Sequence, residues 1–214
     1  MQSLKYDSAQ FLTSAAKYSQ CPPDTGAEVA FAGRSNAGKS SAMNALTRNS
    51  KLARTSKTPG RTQLLNFFTL SSEDHRLVDL PGYGYAKVNR NMKRDWEENI
   101  GEYLAERLSL KGLVLVMDIR HPMTEFDQMV VKWAIETEMP LLALLTKSDK
   151  LKKGPGKSTY LKVRNELRSR APWLTTIMFS SLKKEGIAEV HAWLNEQLSD
   201  NEPSLEVADP GESE

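Results

Sequence analysis

Six short apolar runs recur along the chain, and each is bounded by residues that favour turns. They cover residues 29–32, 64–70, 75–80, 112–119, 141–145 and 173–179. Runs of this length with turn signals on either side are typical of buried strands. Only the polar residues 71–74 separate the second run from the third, so these two are predicted to form a hairpin.

Between most of these runs, apolar residues recur at every third or fourth position, which predicts amphipathic helices. The expected buried faces are Trp96, Ile100, Leu104 and Leu108; Phe126, Met129, Val130, Trp133 and Ala134; Tyr160, Val163 and Leu167; and Ile187, Val190, Leu194 and Leu198. A further short helix is expected to end near Thr47. Strands that alternate with helices predict an α/β domain with a mostly parallel sheet.

Composition and breaker residues divide the chain into three parts. Residues 1–27, with the break at Cys21-Pro22-Pro23, are predicted to form a short segment packed on the core. Residues 28–199 form the predicted domain, because 214 residues with 39% hydrophobic content support one core. Residues 200–214 hold six acidic side chains and no basic one, and we expect them to be disordered.

The composition excludes several classes of protein. No run reaches the roughly 20 apolar residues that a membrane span needs, and the N-terminus lacks an apolar signal core. The single cysteine, Cys21, excludes an internal disulfide and a multi-cysteine metal site. We expect a cytoplasmic protein that acts as a monomer.

The net charge of +2 is unevenly distributed, because without residues 200–214 the chain has 29 basic and 21 acidic side chains. Residues 48–63 contain five basic side chains and no acidic one, namely Arg48, Lys51, Arg54, Lys57 and Arg61. A long loop in a compact domain is usually functional or mobile, and excess positive charge favours an anionic partner beyond a nucleotide. The loop is also consistent with a solvated connector.

Residues 33–40 fit the phosphate-binding pattern of Gly, any four residues, Gly, Lys, then Ser or Thr. They are Gly33, Arg34, Ser35, Asn36, Ala37, Gly38, Lys39 and Ser40. They lie between a predicted strand and a predicted helix, which is the context that the pattern requires. Backbone N–H groups and the helix N-terminus would bind phosphates, Lys39 would reach the outer phosphates, and Ser40 would ligate Mg²⁺.

A second phosphate signal is formed by Asp79, Leu80, Pro81 and Gly82, at the end of the third predicted strand. Asp-x-x-Gly is by itself a common turn. Its position at a strand end, after the phosphate loop, favours a role in nucleotide binding. An aspartate there can hold Mg²⁺, usually through water, and the N–H of Gly82 can donate to the terminal phosphate. The segment is therefore a candidate phosphate sensor.

The residues Thr146, Lys147, Ser148 and Asp149 follow the fifth predicted strand. The Asp149 carboxylate can accept hydrogen bonds from N1–H and the exocyclic amine of guanine, while the Lys147 stem covers the base. Adenine lacks this pair of donors, so the nucleotide is predicted to be GTP. Phe179, Ser180 and Ser181 end the sixth predicted strand, where backbone N–H groups could support the guanine carbonyl.

The ordered strings AFAGRSNAGKSS, SKTPGRTQ, DLPGYGYA and TKSDKL resemble the EngB family of bacterial GTP-binding proteins. The resemblance covers nearly the whole chain except the acidic tail. It implies a Ras-like P-loop GTPase domain with a six-stranded, mostly parallel sheet flanked by helices on both faces. It also implies roles in assembly of the large ribosomal subunit and in cell division and septation.

The resemblance assigns further residues to the nucleotide site. In the first switch, the nucleotide would contact Gly60, Arg61, Thr62, Gln63 and Leu64. Thr62 would ligate Mg²⁺ in the GTP state, together with Ser40 and, through water, Asp79. Phe179 to Ser181 would complete the base pocket. The catalytic set would be Lys39, Thr62 and Gly82.

Tyr83 follows Gly82, at the position where Ras-type enzymes carry a glutamine that orients the attacking water. Tyrosine cannot present an amide, so intrinsic hydrolysis is expected to be slow. Related GTPases with such a substitution often use K⁺, and Asn36 occupies the loop position that binds this ion. Asn36 is equally consistent with a residue that stabilises the loop. K⁺ or ribosomal particles are expected to stimulate hydrolysis.

The leading interpretation is a Mg²⁺-dependent switch in which GTP orders the loops around Thr62 and Tyr83 and hydrolysis releases them. Proteins and RNA of the large ribosomal subunit would bind there, and the basic loop with Lys150, Lys152 and Lys153 could meet RNA phosphates. A metabolic phosphotransferase is disfavoured because the chain has no inserted lid or acceptor domain. A non-catalytic, GTP-stabilised adaptor at the division site is the alternative.

Overall fold

The computed structural model describes residues 4–53, 64–83 and 100–199, apart from the side chain of Glu73. Seven strands in this part of the chain form one sheet. They are β1 (Gln10–Ala15), β2 (Ala27–Gly33), β3 (Leu65–Leu70), β4 (Ser72–Asp79), β5 (Leu110–Asp118), β6 (Leu141–Thr146) and β7 (Thr175–Met178). The fold is the expected α/β, Ras-like one.

Five helices flank the sheet. They are α1 (Lys39–Leu46), α2 with a described part at residues 100–106, α3 (Glu125–Glu136), α4 (Lys153–Arg170) and α5 (Ile187–Leu198). Short 3-10 turns lie at Tyr6–Ser8, Tyr18–Gln20 and Ser148–Lys150. No helix among the described residues is both long and apolar enough to cross a membrane.

The strand order is β1-β3-β4-β2-β5-β6-β7. From β4 to β7 all neighbouring strands are parallel, whereas β3 runs antiparallel to both β1 and β4. The parallel strands therefore all end at the same edge of the sheet. Loops that follow the carboxyl ends of such strands are the usual ligand-binding positions in α/β folds.

Two apolar clusters cover the two faces of the sheet. One contains buried residues of α2, α3 and α4, and the other contains those of α1 and α5. Strand β5 supplies both, because Leu113 and Leu115 point to the first cluster while Val114 and Val116 point to the second. Burial on both faces explains why this strand is a continuous apolar run in the sequence.

The predicted count of six strands is wrong, because residues 10–15 add a seventh. Strand β1 pairs antiparallel with β3 at the edge of the sheet, with Ala15 opposite Leu65. Its first three residues are exposed, including Phe11 at 57%. An edge strand is paired on one side only and needs little apolar periodicity, so residues 10–15 carry no clear strand signal.

Two further expectations about buried helix faces are corrected. Leu108 is 78% exposed, because the chain leaves α2 before this residue, and Met129 is 48% exposed on the outer side of α3. Helix α4 begins at Lys153 and includes Pro155 in its first turn. A proline is tolerated there because the first N–H groups of a helix have no partner within the helix.

A buried group of charged residues lies at the amino end of β2, at the far end of this strand from Gly33. We call it the Glu28 cluster, and it consists of Glu28, Arg76, Tyr103 and Arg107. All four residues are less than 7% exposed. The cluster joins β2, β4 and the end of α2, and β2 and β4 lead at their other ends to the phosphate loop and to Asp79.

Candidate functional site

The phosphate loop connects β2, which ends at Gly33, to α1, which begins at Lys39. Gly38 has φ +99° and Asn36 has φ +65°, so the loop turns sharply just before the helix. A left-handed conformation at Gly38 is favourable only for a residue without a Cβ. The loop thereby leads directly into the N-terminus of α1, whose free N–H groups and dipole favour phosphate.

Lys39 and Asp79 form an ion pair across the start of α1 and the end of β4. Their side chains are only 10% and 11% exposed. Ser40 follows Lys39 in the first turn of α1. The paired carboxylate and ammonium group, with a hydroxyl-bearing residue next in the chain, are chemically suited to Mg²⁺ bound to phosphate, because this ion takes oxygen ligands and the ammonium can balance phosphate charge.

The segment after Asp79 lies along the phosphate loop. The N–H of Leu80 donates to the carbonyl of Phe31 (3.0 Å), and the N–H of Ser35 donates to the carbonyl of Tyr83 (2.8 Å). A methyl group on Gly82 would lie 3.2 Å from Ser35 Oγ. The backbone of Gly82 is therefore beside the phosphate loop, where its N–H could contact a terminal phosphate.

The side chain of Tyr83 points into the protein and contacts α3. Its hydroxyl group donates to the buried carboxylate of Asp127, and its ring stacks on Phe126 with 3.4 Å between centroids. Burial, and then the nearby Asp127, raise the pKa of Tyr83 far above its ordinary value of 10.0. The hydroxyl group therefore keeps its proton and remains a donor.

The base loop is fastened to the phosphate loop by two side chains. Thr146 Oγ1 donates to the carbonyl of Ala37 and, at 3.0 Å, to that of Met117. Lys147 Nζ donates to the carbonyl of Asn36 (2.6 Å) and lies 3.0 Å from Asp118 Oδ2. These contacts fix the distance between a phosphate chain and a base that would bind the two loops.

Asp118, at the carboxyl end of β5, supports Lys147. Burial by itself would raise the pKa of Asp118, but hydrogen bonds from Arg120 and Lys147 outweigh it and hold the pKa well below its ordinary value. Arg120 donates to both carboxylate oxygens, at 2.9 and 2.6 Å. Asp118 thus stays ionised and keeps the Lys147 stem across the mouth of the base loop.

Asp149 is held by the loop that follows β7. Ser180 Oγ donates to Asp149 Oδ1 (2.7 Å) and accepts from the N–H of Lys183 (3.1 Å). The hydrogen bond from Ser180 is the main cause of a lowered pKa at Asp149, so the carboxylate remains an acceptor. The N–H of Ser148 also donates to the carbonyl of Phe179 (3.1 Å), which joins the two loops.

Most predicted site residues are brought to one edge of the sheet, although not all of them are described. The group there comprises Gly33 to Ser40, Asp79 to Gly82, Thr146 to Asp149, and Phe179 to Ser181. Gly60 to Gln63, and with them Thr62, lie outside the described residues, while Leu64 is described and 37% exposed. The ligand contacts of all these residues stay predictions.

Three acidic residues near the site are absent from the predicted set. Asp118 ends a parallel strand, as Asp79 does, and that position was the available signal. Glu185 accepts from Ser148 Oγ (3.3 Å), and Asp127 accepts from Tyr83. The capping pattern Thr124-x-x-Asp127 marks Asp127 only as part of a helix N-terminus. No local signal places either residue at the site, because each contacts a loop that is more than 30 residues away along the chain.

Comparisons with known proteins give matches over most of the chain. A family model described as "50S ribosome-binding GTPase" matches residues 28–147. The chain is 58% identical over 194 residues to the probable GTP-binding protein EngB of Pseudoalteromonas translucida, covering 90% of this chain and 87% of that one. It is 54% identical over 203 residues to the protein of the same name from Hydrogenovibrio crunogenus, covering 95% of each.

Solved structures share the fold. The crystal structure of a probable GTP-binding protein engB superposes with a TM-score of 0.63 at 22% identity, over 80% of this chain and 98% of that one. Era in complex with MgGDPNP and nucleotides 1506–1542 of 16S ribosomal RNA gives a TM-score of 0.62 at 23% identity, over 84% and 59%. At sequence identities this low, the similarity to these structures shows a shared fold and nothing more.

Proposed function

The chain belongs to the EngB family of GTP-binding proteins, and we propose that it is a slow, Mg²⁺-dependent GTPase switch that acts in assembly of the large ribosomal subunit. Its expected activity is hydrolysis of GTP to GDP and phosphate. We further propose that it works in the cytoplasm and that normal cell division and septation depend on it.

One observation carries the proposal: the base loop and the phosphate loop are tied directly to each other. Lys147 reaches the carbonyl of Asn36, and Thr146 reaches that of Ala37. Asp149, fixed by Ser180, stands next to them as the acceptor for guanine. A site of this kind rejects adenine, since a buried acceptor without its donors costs roughly 10⁴-fold in affinity.

In the proposed switch, the residues of the chain bind and orient the nucleotide. Lys39 would contact the outer phosphates, and Gly82 would donate its N–H to the terminal phosphate. Asp79, through water, with Ser40 and Thr62, would hold Mg²⁺. When bound, Mg²⁺ neutralises charge on the phosphates. Loss of the terminal phosphate removes the contact with Gly82, and the segment behind it is released.

Slow hydrolysis follows from the absence of a side chain that orients water after Gly82. The Tyr83 hydroxyl donates to Asp127, and the aromatic ring is buried. We propose that K⁺ bound near Asn36 compensates. Asn36 is exposed, and among the described residues its side-chain amide makes no hydrogen bond, so it is available to an ion. Equal hydrolysis rates in K⁺ and Na⁺, or in Asn36→Ala and wild type, would remove the ion from the mechanism.

A ribosomal partner is supported by the basic residues that border the loops. Arg48 and Lys51 follow α1 and are exposed, as are Lys150, Lys152 and Lys153 beside the base loop. The side chain of Asn44 binds the backbone of Ala53 (2.7 Å) and so fixes the start of the basic loop. Contacts with RNA phosphates release counterions, so binding to ribosomal particles should weaken steeply with salt.

Co-sedimentation with purified large ribosomal subunits tests the switch. Wild-type protein is loaded with a non-hydrolysable GTP analogue or with GDP, and Asp149→Asn is incubated with the same analogue. The proposal expects a complex only for wild type with the GTP analogue. A complex that forms equally in all three samples would refute the switch. Binding to division proteins instead, without measurable hydrolysis, would favour the adaptor.

A salt series on the same complex tests the RNA contact. The double variant Lys152→Ala/Lys153→Ala should weaken binding and reduce the salt dependence. Lys132→Ala is the matched control, since Lys132 is exposed on α3 and pairs with Glu136 within its own helix (3.6 Å). Binding that does not change with salt would mean that the basic residues only face solvent.

A further inference from the structure

We propose that Tyr83 is a positioning residue that, through Asp127, holds Gly82 against the phosphate loop and so raises the affinity for GTP relative to the affinity for GDP. The inference rests on the proposed function, because it takes Gly82 as the group that contacts the terminal phosphate. It adds a residue of α3 to the machinery that responds to that phosphate.

The backbone of Tyr83 is hydrogen-bonded to the phosphate loop through both its N–H and its carbonyl. Its N–H donates to the carbonyl of Gly33 (3.4 Å), and its carbonyl accepts from the N–H of Ser35 (2.8 Å). Arg34 and Tyr83 form a parallel bridge that continues the pairing of β2 with β4. Gly82 therefore has a position set by the residue that follows it.

The side chain of Tyr83 is bonded to an equally well-fixed partner. Asp127 is 2% exposed, and one of its oxygens accepts from the Tyr83 hydroxyl group. The other oxygen accepts from the N–H and the hydroxyl group of Thr124, both at 2.8 Å. Asp127 is thus part of the N-terminal cap of α3, a helix that buries Val130 and Val131 in the core.

In addition to the backbone bonds of Tyr83, its side chain therefore links the segment containing Gly82 to helix α3. Without the hydroxyl group, the ring of residue 83 can still stack on Phe126, but the hydrogen bond to Asp127 is lost. The backbone around Gly82 then has more conformations to sample, and its N–H is less well placed for a phosphate oxygen. GDP has no terminal phosphate there, so its affinity should not depend on this bond.

The test compares the affinities of wild type and Tyr83→Phe for a Mg²⁺-loaded GTP analogue and for Mg²⁺-GDP, by calorimetry. We expect the GTP-to-GDP affinity ratio to fall about tenfold, the size of one good hydrogen bond, with GDP affinity within about twofold of wild type. Tyr6→Phe is the matched control. Tyr6 is also buried, donates to Asn195 (2.8 Å) and stacks on His191, in contact with α5.

A second variant separates the contact from general damage. Asp127→Ala removes the acceptor and should lower the ratio at least as far as Tyr83→Phe does. Adding Tyr83→Phe to it should lower the ratio no further, because the hydroxyl group then has no bond to Asp127 left to lose. Three results would contradict the role of Tyr83 without affecting the proposed function. They are an unchanged ratio in Tyr83→Phe, an equal fall in Tyr6→Phe, and additive effects in the double variant. A wild-type protein that binds neither nucleotide would overturn the proposed function itself.

Discussion

Replacing Glu28 by glutamine should destabilise the domain strongly while leaving the nucleotide site intact. Glu28 is fully buried, and its carboxylate accepts four hydrogen bonds. The donors are Arg76 Nε at 2.7 Å, Arg107 Nη2 at 2.6 Å, Arg107 Nε at 3.0 Å and the Tyr103 hydroxyl group at 3.0 Å. Glutamine has only one acceptor oxygen in its side chain, so its NH₂ group would face N–H or O–H donors in place of the second carboxylate oxygen.

The size of the effect follows from the two guanidinium groups. Arg76 and Arg107 are 3% and 6% exposed and would lose their shared negative charge. Breaking a buried ion pair by removing one partner costs about 3–5 kcal/mol. The two guanidinium groups still donate to the carbonyls of Pro22, Pro23 and Thr25, so we expect a cost near the lower end of this range. At about 2–4 °C per kcal/mol for a domain of this size, Tm should fall by about 10 °C.

Thermal and urea unfolding at one fixed nucleotide concentration measure this loss, because bound ligand itself raises stability. Glu102→Gln is the matched control, since Glu102 is exposed on α2. Below the transition, Glu28→Gln should bind GTP as wild type does, because Glu28 and Gly33 lie at opposite ends of β2. If Glu28→Gln unfolds at the same temperature as Glu102→Gln, the Glu28 cluster does not stabilise the fold.

Three further predictions follow from single residues. Asp149→Asn should weaken GTP binding about 100-fold or more and favour xanthosine triphosphate, which has a carbonyl where guanine has its amine. Competition with a fluorescent nucleotide measures the affinities for both triphosphates. An unchanged GTP affinity would contradict the role of Asp149 in binding guanine. Gly26→Ala should lower the free energy of unfolding by more than about 1 kcal/mol, because Gly26 has φ +74° and a Cβ there would lie 2.1 Å from the carbonyl oxygen of Asp74. Gly154→Ala, which meets nothing within 4 Å, is the control and should be neutral or stabilising. Burial raises the pKa of Cys21 from 9.0 to about 11, so the folded thiol should react slowly with iodoacetamide at pH 8 and faster as the pH approaches 11. Stability should correspondingly fall as the pH rises through 9 towards 11, since the unfolded thiol loses its proton first; reaction at the same rate in native and urea-unfolded protein would contradict this.

The sequence determined the class of fold and the type of ligand because both are encoded in contiguous residues. Continuous apolar runs predicted the central strands, and β5 is one of them, buried on both faces. Residues 33–40 predicted a phosphate site, and residues 146–149 predicted guanine as the base. The loop conformation at Gly38 and the strand end at Asp79 agree with those predictions.

Which polar groups from distant parts of the chain contact one another became visible only in the folded domain. The Glu28 cluster, the bond from Tyr83 to Asp127, and the contact of Lys147 with Asp118 each join residues that are 29 or more positions apart. A buried charge has no periodic signal in the sequence, because its partners are chosen by strand register and by how a helix end packs. The edge strand β1 was missed for a related reason, since its partners on β3 lie 50 or more positions away in the chain.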